Sequence, residues 1–224
     1  MSASAVLFSG GLDSAVLLAL ERRDHSEVWP IHVRAGLAWE GAEARAIARL
    51  LGDRPFANRV APVTTLQLDM RDVYPPTHWA VRGQPPGYDT PDEDVYLEGR
   101  NIVLASKAAV LCARLGVERL VLGPLAGNPF PDATPEFIST LSRALSLGLG
   151  RRLDVATPLV TMHKEDVVRL GLELGVPLAR TLSCMNPEDD RHCGRCSKCR
   201  ERQQGFKEAG VPDDTEYTTR TPPE

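Results

Sequence analysis

The chain has 224 residues, 42% of them hydrophobic and 25% charged, with 26 basic against 30 acidic side chains and a formal net charge of -4. That length suits one α/β domain with a small appendage, and the balance of apolar and charged residues excludes a disordered or fibrous chain. A slightly acidic protein lacks the broad basic footprint of a nucleic-acid binder, so small-molecule chemistry moves ahead of nucleic-acid binding.

Residues 5–8 form a short β-type run that breaks into Ser9-Gly10-Gly11, after which the apolar residues 15–20 have the composition of a helix. A second strand is expected over residues 28–33, an amphipathic helix over 39–51 ended by Gly52, and a third strand over 63–68. Residues 71–99 contain Pro75, Pro76, Pro85, Pro86 and Pro91 without any usable period. A connection so long is functional or disordered. Because it carries His78, Trp79, Tyr88 and Tyr96, it is expected to be an ordered lid inserted over the strand ends. The βαβ rhythm returns with a helix over 102–115 stopped by Gly116, a strand over 120–122, a helix over 136–147, a strand over 153–156 and a helix over 164–174. Such alternation predicts a Rossmann-like, doubly wound parallel sheet of about five strands, with the first strand central and helices on both faces. Residues 212–224 are polar and expected to fray. The apolar residues of the 136–147 helix leave a homodimer open.

The longest apolar stretches fall far short of the ~20 residues that cross a bilayer, and no leader pattern opens the chain. A cytoplasmic protein without a membrane partner is expected. Of five cysteines, Cys112 stands alone in a helix-like run and reads as core filler. Cys184, Cys193, Cys196 and Cys199 crowd into sixteen residues, which in a reducing compartment reads as a metal site. Two interlocking CxxC spacings suit four thiolates closed tetrahedrally around a structural zinc, with no open position for water. Four cysteines alone also leave an iron–sulfur cluster open. The nearby Arg191, Arg195, Lys198, Arg200 and Arg202 would offset the charge of such a site. His192, next to Cys193, is expected to be exposed and not a ligand.

Ser9-Gly10-Gly11-Leu12-Asp13-Ser14 lies where a doubly wound fold binds its ligand, between the first strand and the first helix. Two glycines let backbone approach an anion, and Ser9, Ser14 and the first helical N–H groups can donate to it. A phosphate or pyrophosphate fits, with Asp13 placed to hold a magnesium ion or to cap the helix. Lys164 opens a helix and reads equally as a phosphate ligand or a solvated lysine. Arg100, between Gly99 and Asn101 at a helix start, is placed for an anion. Asp132 reads as a substrate or metal ligand or as a cap, and His32 as a strand histidine more than a base. Neither the GxxxxGK[ST] pattern of kinases and GTPases nor a GxGxxG dinucleotide turn occurs after the first strand.

The six-residue turn resembles the pyrophosphate-binding loop of the N-type ATP pyrophosphatases. Taken with Gly99-Arg100-Asn101, Pro131-Asp132 before Pro135-Glu136-Phe137, His163-Lys164-Glu165, and the four cysteines followed by Glu201-Arg202, the chain resembles the 7-cyano-7-deazaguanine synthase family, the ExsB type of the queuosine pathway, from about residue 5 to residue 207. The resemblance implies an ATP pyrophosphatase domain over residues 1–180, a zinc-binding segment over 181–210 and a tail over 211–224. It implies an ATP-dependent ligase that turns 7-carboxy-7-deazaguanine, a small deazapurine acid, and ammonia into the nitrile through an adenylated acid, with structural Zn2+ and with Mg2+ accompanying ATP. Carried over residue by residue, Leu7, Phe8, Ser9, Gly10, Gly11, Leu12, Asp13, Ser14, Ala15, Val16 and Leu17 match the nucleotide loop, and Arg100 and Asn101 a turn near the nucleotide. Asp13, Lys164 and Asp132 take the catalytic positions, and Cys184, Cys193, Cys196 and Cys199 the zinc positions.

The chain departs from the family pattern at residues 123–130, at Ala133 and at residues 34–40. Those departures fall on the expected substrate wall and leave open another deazaguanine or another amine. A related adenylating enzyme acting on a tRNA base, and a non-catalytic nucleotide-binding module, stay open as alternatives.

Overall fold

A computed structural model describes residues 3–219. The sheet contains β1 (Ala3–Leu7), β2 (Glu27–Arg34), β3 (Thr64–Gln67), β4 (Arg119–Val121) and β5 (Asp154–Ala156), all parallel, in the order β3-β2-β1-β4-β5. The first strand is central, as the alternation predicts. Among the described residues, seven α-helices connect or follow the strands: α1 (Leu12–Asp24), α2 (Glu40–Leu51), α3 (Trp79–Arg82), α4 (Arg100–Leu115), α5 (Pro135–Leu149), α6 (Lys164–Glu173) and α7 (Ser197–Ala209).

Both faces of β1 are covered, which is why it reads as a continuous apolar run. Successive side chains point to opposite faces. Val6 joins a core made with α1, α2, α6 and α7, through Val16, Ile47, Leu50, Val167, Val168 and Phe206. Ala5 joins the opposite core with α4 and α5, through Ala105, Ala108, Ala109, Cys112 and Ile138. Cys112 is fully buried there, and burial pushes its thiol up to about 12. The larger apolar residues of α5 are mostly spent on this core: Phe137, Leu141, Leu145 and Leu149 pack against it, while Leu147 stands 74% exposed. Among the described residues, no helix is long and apolar enough to cross a membrane.

The proline-rich segment 71–99 is held at both ends of its course. Trp79 stacks on Trp39 with ring centroids 5.8 Å apart, and Tyr74, Ala80, Val95 and Leu97 form a separate core with Trp39, Met70 and Met185. Across its middle, Arg200 of α7 donates to the carbonyls of Tyr88 and Thr90 at 2.7 Å, and the Tyr88 hydroxyl donates to Gln203 at 2.7 Å.

The polar tail is the first departure from expectation. Residues 212–219 dock onto the cysteine segment: His192 N–H donates to the Glu216 carbonyl at 3.0 Å, Thr218 N–H donates to the His192 carbonyl at 2.8 Å, and Thr215 is buried. Main-chain pairing, which side-chain polarity does not announce, orders this stretch. The remainder of the tail, residues 220–224, lies outside the described residues.

Candidate active site and cysteine centre

The crevice between β1 and β4 is where strand order reverses, and the glycine turn opens into it. Phe8 N–H still pairs with the Ile31 carbonyl at 2.8 Å, and the chain then turns at Gly10, whose φ of 77° suits glycine. A Cβ there would lie 3.1 Å from Ile47 Cγ1 and 3.3 Å from the Ile47 nitrogen, so α2 closes the space a side chain would need. Ser9 and Ser14 tie the turn together: Gly11 N–H donates to Ser9 Oγ at 3.3 Å, and Ser14 Oγ donates to the Gly11 carbonyl at 3.0 Å. No side chain caps the N-terminus of α1. The helix dipole and its first N–H groups are therefore left for a ligand.

The turn lines two adjoining cavities. One, of about 280 Å³, is bounded by Leu7, Phe8, Ser9, Gly11, Asp13 and Ser14 on one side and by Arg100, Asn101 and Asp132 on the other. The second, of about 190 Å³, is bounded by Ser9, Gly11, Leu12, Asp13, Arg100, Lys164 and residues of α7. Ala15, Val16 and Leu17 line neither and sit fully buried in the core beneath.

Asn101 and Asp132 form one unit. Asn101 N–H donates to Asp132 Oδ2 at 2.9 Å and its amide nitrogen to Oδ1 at 3.1 Å, so Asp132 caps α4 from a neighbouring segment while facing the larger cavity. Arg100, which borders both cavities, has its Nε buried with no hydrogen-bond partner among the described residues.

Lys164 is not a solvated lysine. Its side chain is 15% exposed, and Nζ lies 2.7 and 2.8 Å from the two Asp13 oxygens and 2.6 Å from Glu201 Oε1. Burial works to lower its pKa, but Asp13 and Glu201 outweigh it and hold the ammonium above its ordinary range. Glu201 is held below the carboxylate range, burial being outweighed by Lys164 and Lys198.

Several pairings at the site carried no sequence signal. His32 Nε2 lies 3.3 Å from Glu43 Oε2, both buried, and both line the larger cavity. Tyr96 and Phe130 stack at 5.1 Å on its far wall. These residues come from β2, α2, the proline-rich segment and the 123–130 segment, and only the topology brings them together. At the third family departure, the turn after β2 is held by buried Glu40, which accepts from the Ala35 and Gly36 N–H groups.

The four cysteines form a closed centre. Their Sγ atoms all lie within 4.8 Å of one another and all four residues are buried. The pairs Cys196–Cys199, Cys193–Cys199 and Cys184–Cys196 stand 3.5, 3.9 and 4.0 Å apart. Tetrahedral coordination at about 2.3 Å places sulfurs about 3.8 Å apart, so a metal ion fits. Backbone N–H groups of Asn186 and Cys193 point at Cys184 Sγ at 3.3 Å, and Gly194 N–H at Cys199 Sγ at 3.4 Å. Arg202 is 1% exposed and donates only to neutral acceptors, namely Thr215, Thr181 and Ser183 hydroxyls and the Leu178 carbonyl. A buried cation without a carboxylate partner is costly; a thiolate centre of net negative charge beside it would offset that cost.

His192 is buried, contrary to the exposure expected of it from its polar sequence setting. It is 3% exposed, accepts from Ser183 N–H at 3.0 Å through Nε2, and packs against Tyr217. Burial, then the Arg202 charge, push the imidazole down to about 3, so it stays neutral. Of the basic residues around the centre, Arg195 pairs with Glu188, Arg200 with Asp92 and Lys198 with Glu201.

A family model described as queuosine biosynthesis protein QueC matches residues 3–210. The 7-cyano-7-deazaguanine synthase of Methanothrix thermoacetophila is 36% identical over 226 residues, covering 97% of this chain and 99% of that one. The enzyme of the same name from Anaeromyxobacter dehalogenans is 35% identical, with 96% and 95% covered. Among solved structures, a predicted subunit of tRNA methyltransferase from Methanocaldococcus jannaschii matches with a TM-score of 0.50 at 17% identity, covering 98% of this chain and 93% of that one. A 4-thiouridine synthetase bound to RNA and ATP matches with a TM-score of 0.50 at 14% identity, covering 93% and 51%. These two share the fold. The loop, the Asn101–Asp132 unit and the cysteine centre all fall inside the matched span, and the chain belongs to the queuosine biosynthesis protein QueC family.

Proposed function

We propose that the chain is an ATP-dependent ligase that converts 7-carboxy-7-deazaguanine and ammonia to 7-cyano-7-deazaguanine. The observation that carries this reading is that an uncapped helix N-terminus and the Asn101–Asp132 unit face one cavity, so a nucleotide phosphate and a polar planar acid can meet there. In the first step a carboxylate oxygen attacks the α-phosphorus of ATP, and the bond to the β-phosphate oxygen breaks, releasing pyrophosphate. Ammonia then attacks the acyl carbon and loses a proton, and AMP leaves with the oxygen, giving an amide. Removing the second oxygen needs the same activation again, with both N–H protons lost and a nitrile formed.

None of these steps needs a protein nucleophile. The turn's N–H groups, Lys164 and Arg100 neutralise the departing pyrophosphate, which is positioning and electrostatic work. Magnesium carried with ATP would sit on Asp13 and shield the phosphates, as that ion commonly uses one carboxylate plus substrate oxygens. The Tyr96–Phe130 pair offers a flat apolar wall for the heterocycle, and Asn128 and Asp132 offer polar atoms beside it. Zinc fits the cysteine centre as a closed site that contributes folding free energy and not catalysis.

Protein, ATP, magnesium, ammonium and 7-carboxy-7-deazaguanine are incubated and the product mass is measured. Loss of two waters from the ammonium salt identifies the nitrile. Loss of one identifies an enzyme that stops at the amide, and no acid-stimulated pyrophosphate release refutes the assignment.

A further inference from the structure

Helix α7, which carries two of the four cysteines at its start, reaches the nucleotide turn through Glu201 and Lys164. Cys196 is the N-cap residue of helix α7, the first turn carries Cys199, and the next residue but one is Glu201. Glu201 bridges Lys198 and Lys164, each at 2.6 Å. Lys164, the first residue of α6, thereby stands between two carboxylates: Asp13 on the turn and Glu201 on the cysteine-borne helix. The stem of Lys164 also has a dedicated place. A Cβ on Gly205 of α7 would lie 2.3 Å from Lys164 Cγ and 3.2 Å from its Cβ, so only glycine there lets the lysine cross the helix to reach the turn. Glu201, Lys164 and Asp13 all line the smaller cavity, beside Gly11 and Leu12 at the start of α1.

We propose that Glu201 is a positioning residue that holds the Lys164 ammonium at the phosphate end of the nucleotide site, which makes the cysteine-bound helix α7 a wall of that site. This rests on the nucleotide-binding reading above. Without a ligand, Lys164 has two anchors. When Asp13 turns to a magnesium ion carried with ATP, the lysine loses one of them, and Glu201 keeps it aimed at the phosphates. Charge alone predicts the opposite effect of the same residue: an extra carboxylate beside a polyanion repels it, so its removal would tighten binding. The sign of the change separates the two.

The test is calorimetric titration with magnesium and a non-hydrolysable ATP analogue bridged by a methylene between the α- and β-phosphates. Wild type, Glu201→Gln, Lys164→Met and the double variant are compared, with metal content and thermal midpoint checked for each. The expected result is at least tenfold weaker binding in Glu201→Gln despite the loss of a negative charge, with metal content unchanged. In the Lys164→Met background, Glu201→Gln should add less than twofold, because it acts through the lysine. Gly205→Ala, which obstructs the lysine stem and leaves every charge in place, should weaken binding in the same direction. Unchanged or tighter binding in Glu201→Gln, or additive losses in the double variant, overturns the proposal. Should Glu201→Gln fail to fold, Gly205→Ala with wild-type affinity overturns it. A wild-type protein that binds no nucleotide analogue refutes the underlying nucleotide-binding reading and the proposal with it.

Discussion

The cysteine centre and the glycine turn are both places where backbone N–H groups converge on a site of charge, and they differ in what is left over. At the centre, four buried sulfurs use one another and the surrounding N–H groups, and no side is open to solvent or substrate. At the turn, the helix N-terminus has no side-chain cap, Arg100 keeps a buried Nε without a partner among the described residues, and two cavities adjoin. On the proposed reading the closed arrangement contributes stability and the open one contributes chemistry. Substitutions that confuse the two roles would show the comparison to be wrong.

The largest expected effect is at the closed site. Cys196→Ala removes one of the four proposed ligands, and structural zinc sites contribute roughly 10 kcal/mol or more in isolated modules, comparable to the whole stability of a domain. The variant should lose its metal, about one ion per chain in the wild type, and aggregate or melt far below the wild type by calorimetry. A folded, active, metal-free variant would refute the structural role. At the open site, Asp13→Ala should leave metal content and melting nearly unchanged while pyrophosphate release falls by roughly 100-fold or more, the scale of losing one preorganised electrostatic contact. Equal losses of stability and turnover would mean that Asp13 is only a partner for Lys164.

Gly10→Ala lies between the two. Its left-handed backbone costs an alanine about 1 kcal/mol, and its Cβ would press on Ile47 Cγ1 at 3.1 Å. A midpoint lowered by several degrees, together with weaker nucleotide binding, is expected. The smallest effect concerns Cys112, outside both sites. Its folded thiol is pushed up to about 12 by burial, so above an unfolded pKa near about 8.5 the unfolded chain releases a proton that the folded chain keeps. Its contribution to stability is therefore present at neutral pH and lost as pH rises. Denaturant midpoints of wild type and Cys112→Ala should converge between about pH 8 and about pH 10, and a constant gap would contradict the shift.

The parallel sheet, its central first strand and the position of the turn were legible because β1 is buried on both faces and breaks at two glycines. The cysteine centre was legible because its ligands are close in sequence. Asp132 was legible as a residue, but its pairing with Asn101 came only from the fold. The Glu201–Lys164 contact, the His32–Glu43 pair and the Tyr96–Phe130 stack were hidden, because each depends on segments far apart in the chain meeting near the carboxyl ends of the strands. His192 and the 212–219 segment were misread for a different reason. A polar residue beside a cysteine and a short polar tail look solvated, yet here the Glu216 carbonyl and the Thr218 N–H satisfy the His192 backbone and seal the centre.

In the proposed mechanism a carboxylate oxygen of the substrate attacks the α-phosphorus. That step is tested most directly with 7-carboxy-7-deazaguanine labelled with oxygen-18 in its carboxylate, incubated with ATP, magnesium and ammonium. Mass spectrometry should find one labelled oxygen in AMP and none in pyrophosphate. Label appearing in inorganic phosphate with ADP as the nucleotide product, or unlabelled AMP, would contradict the account.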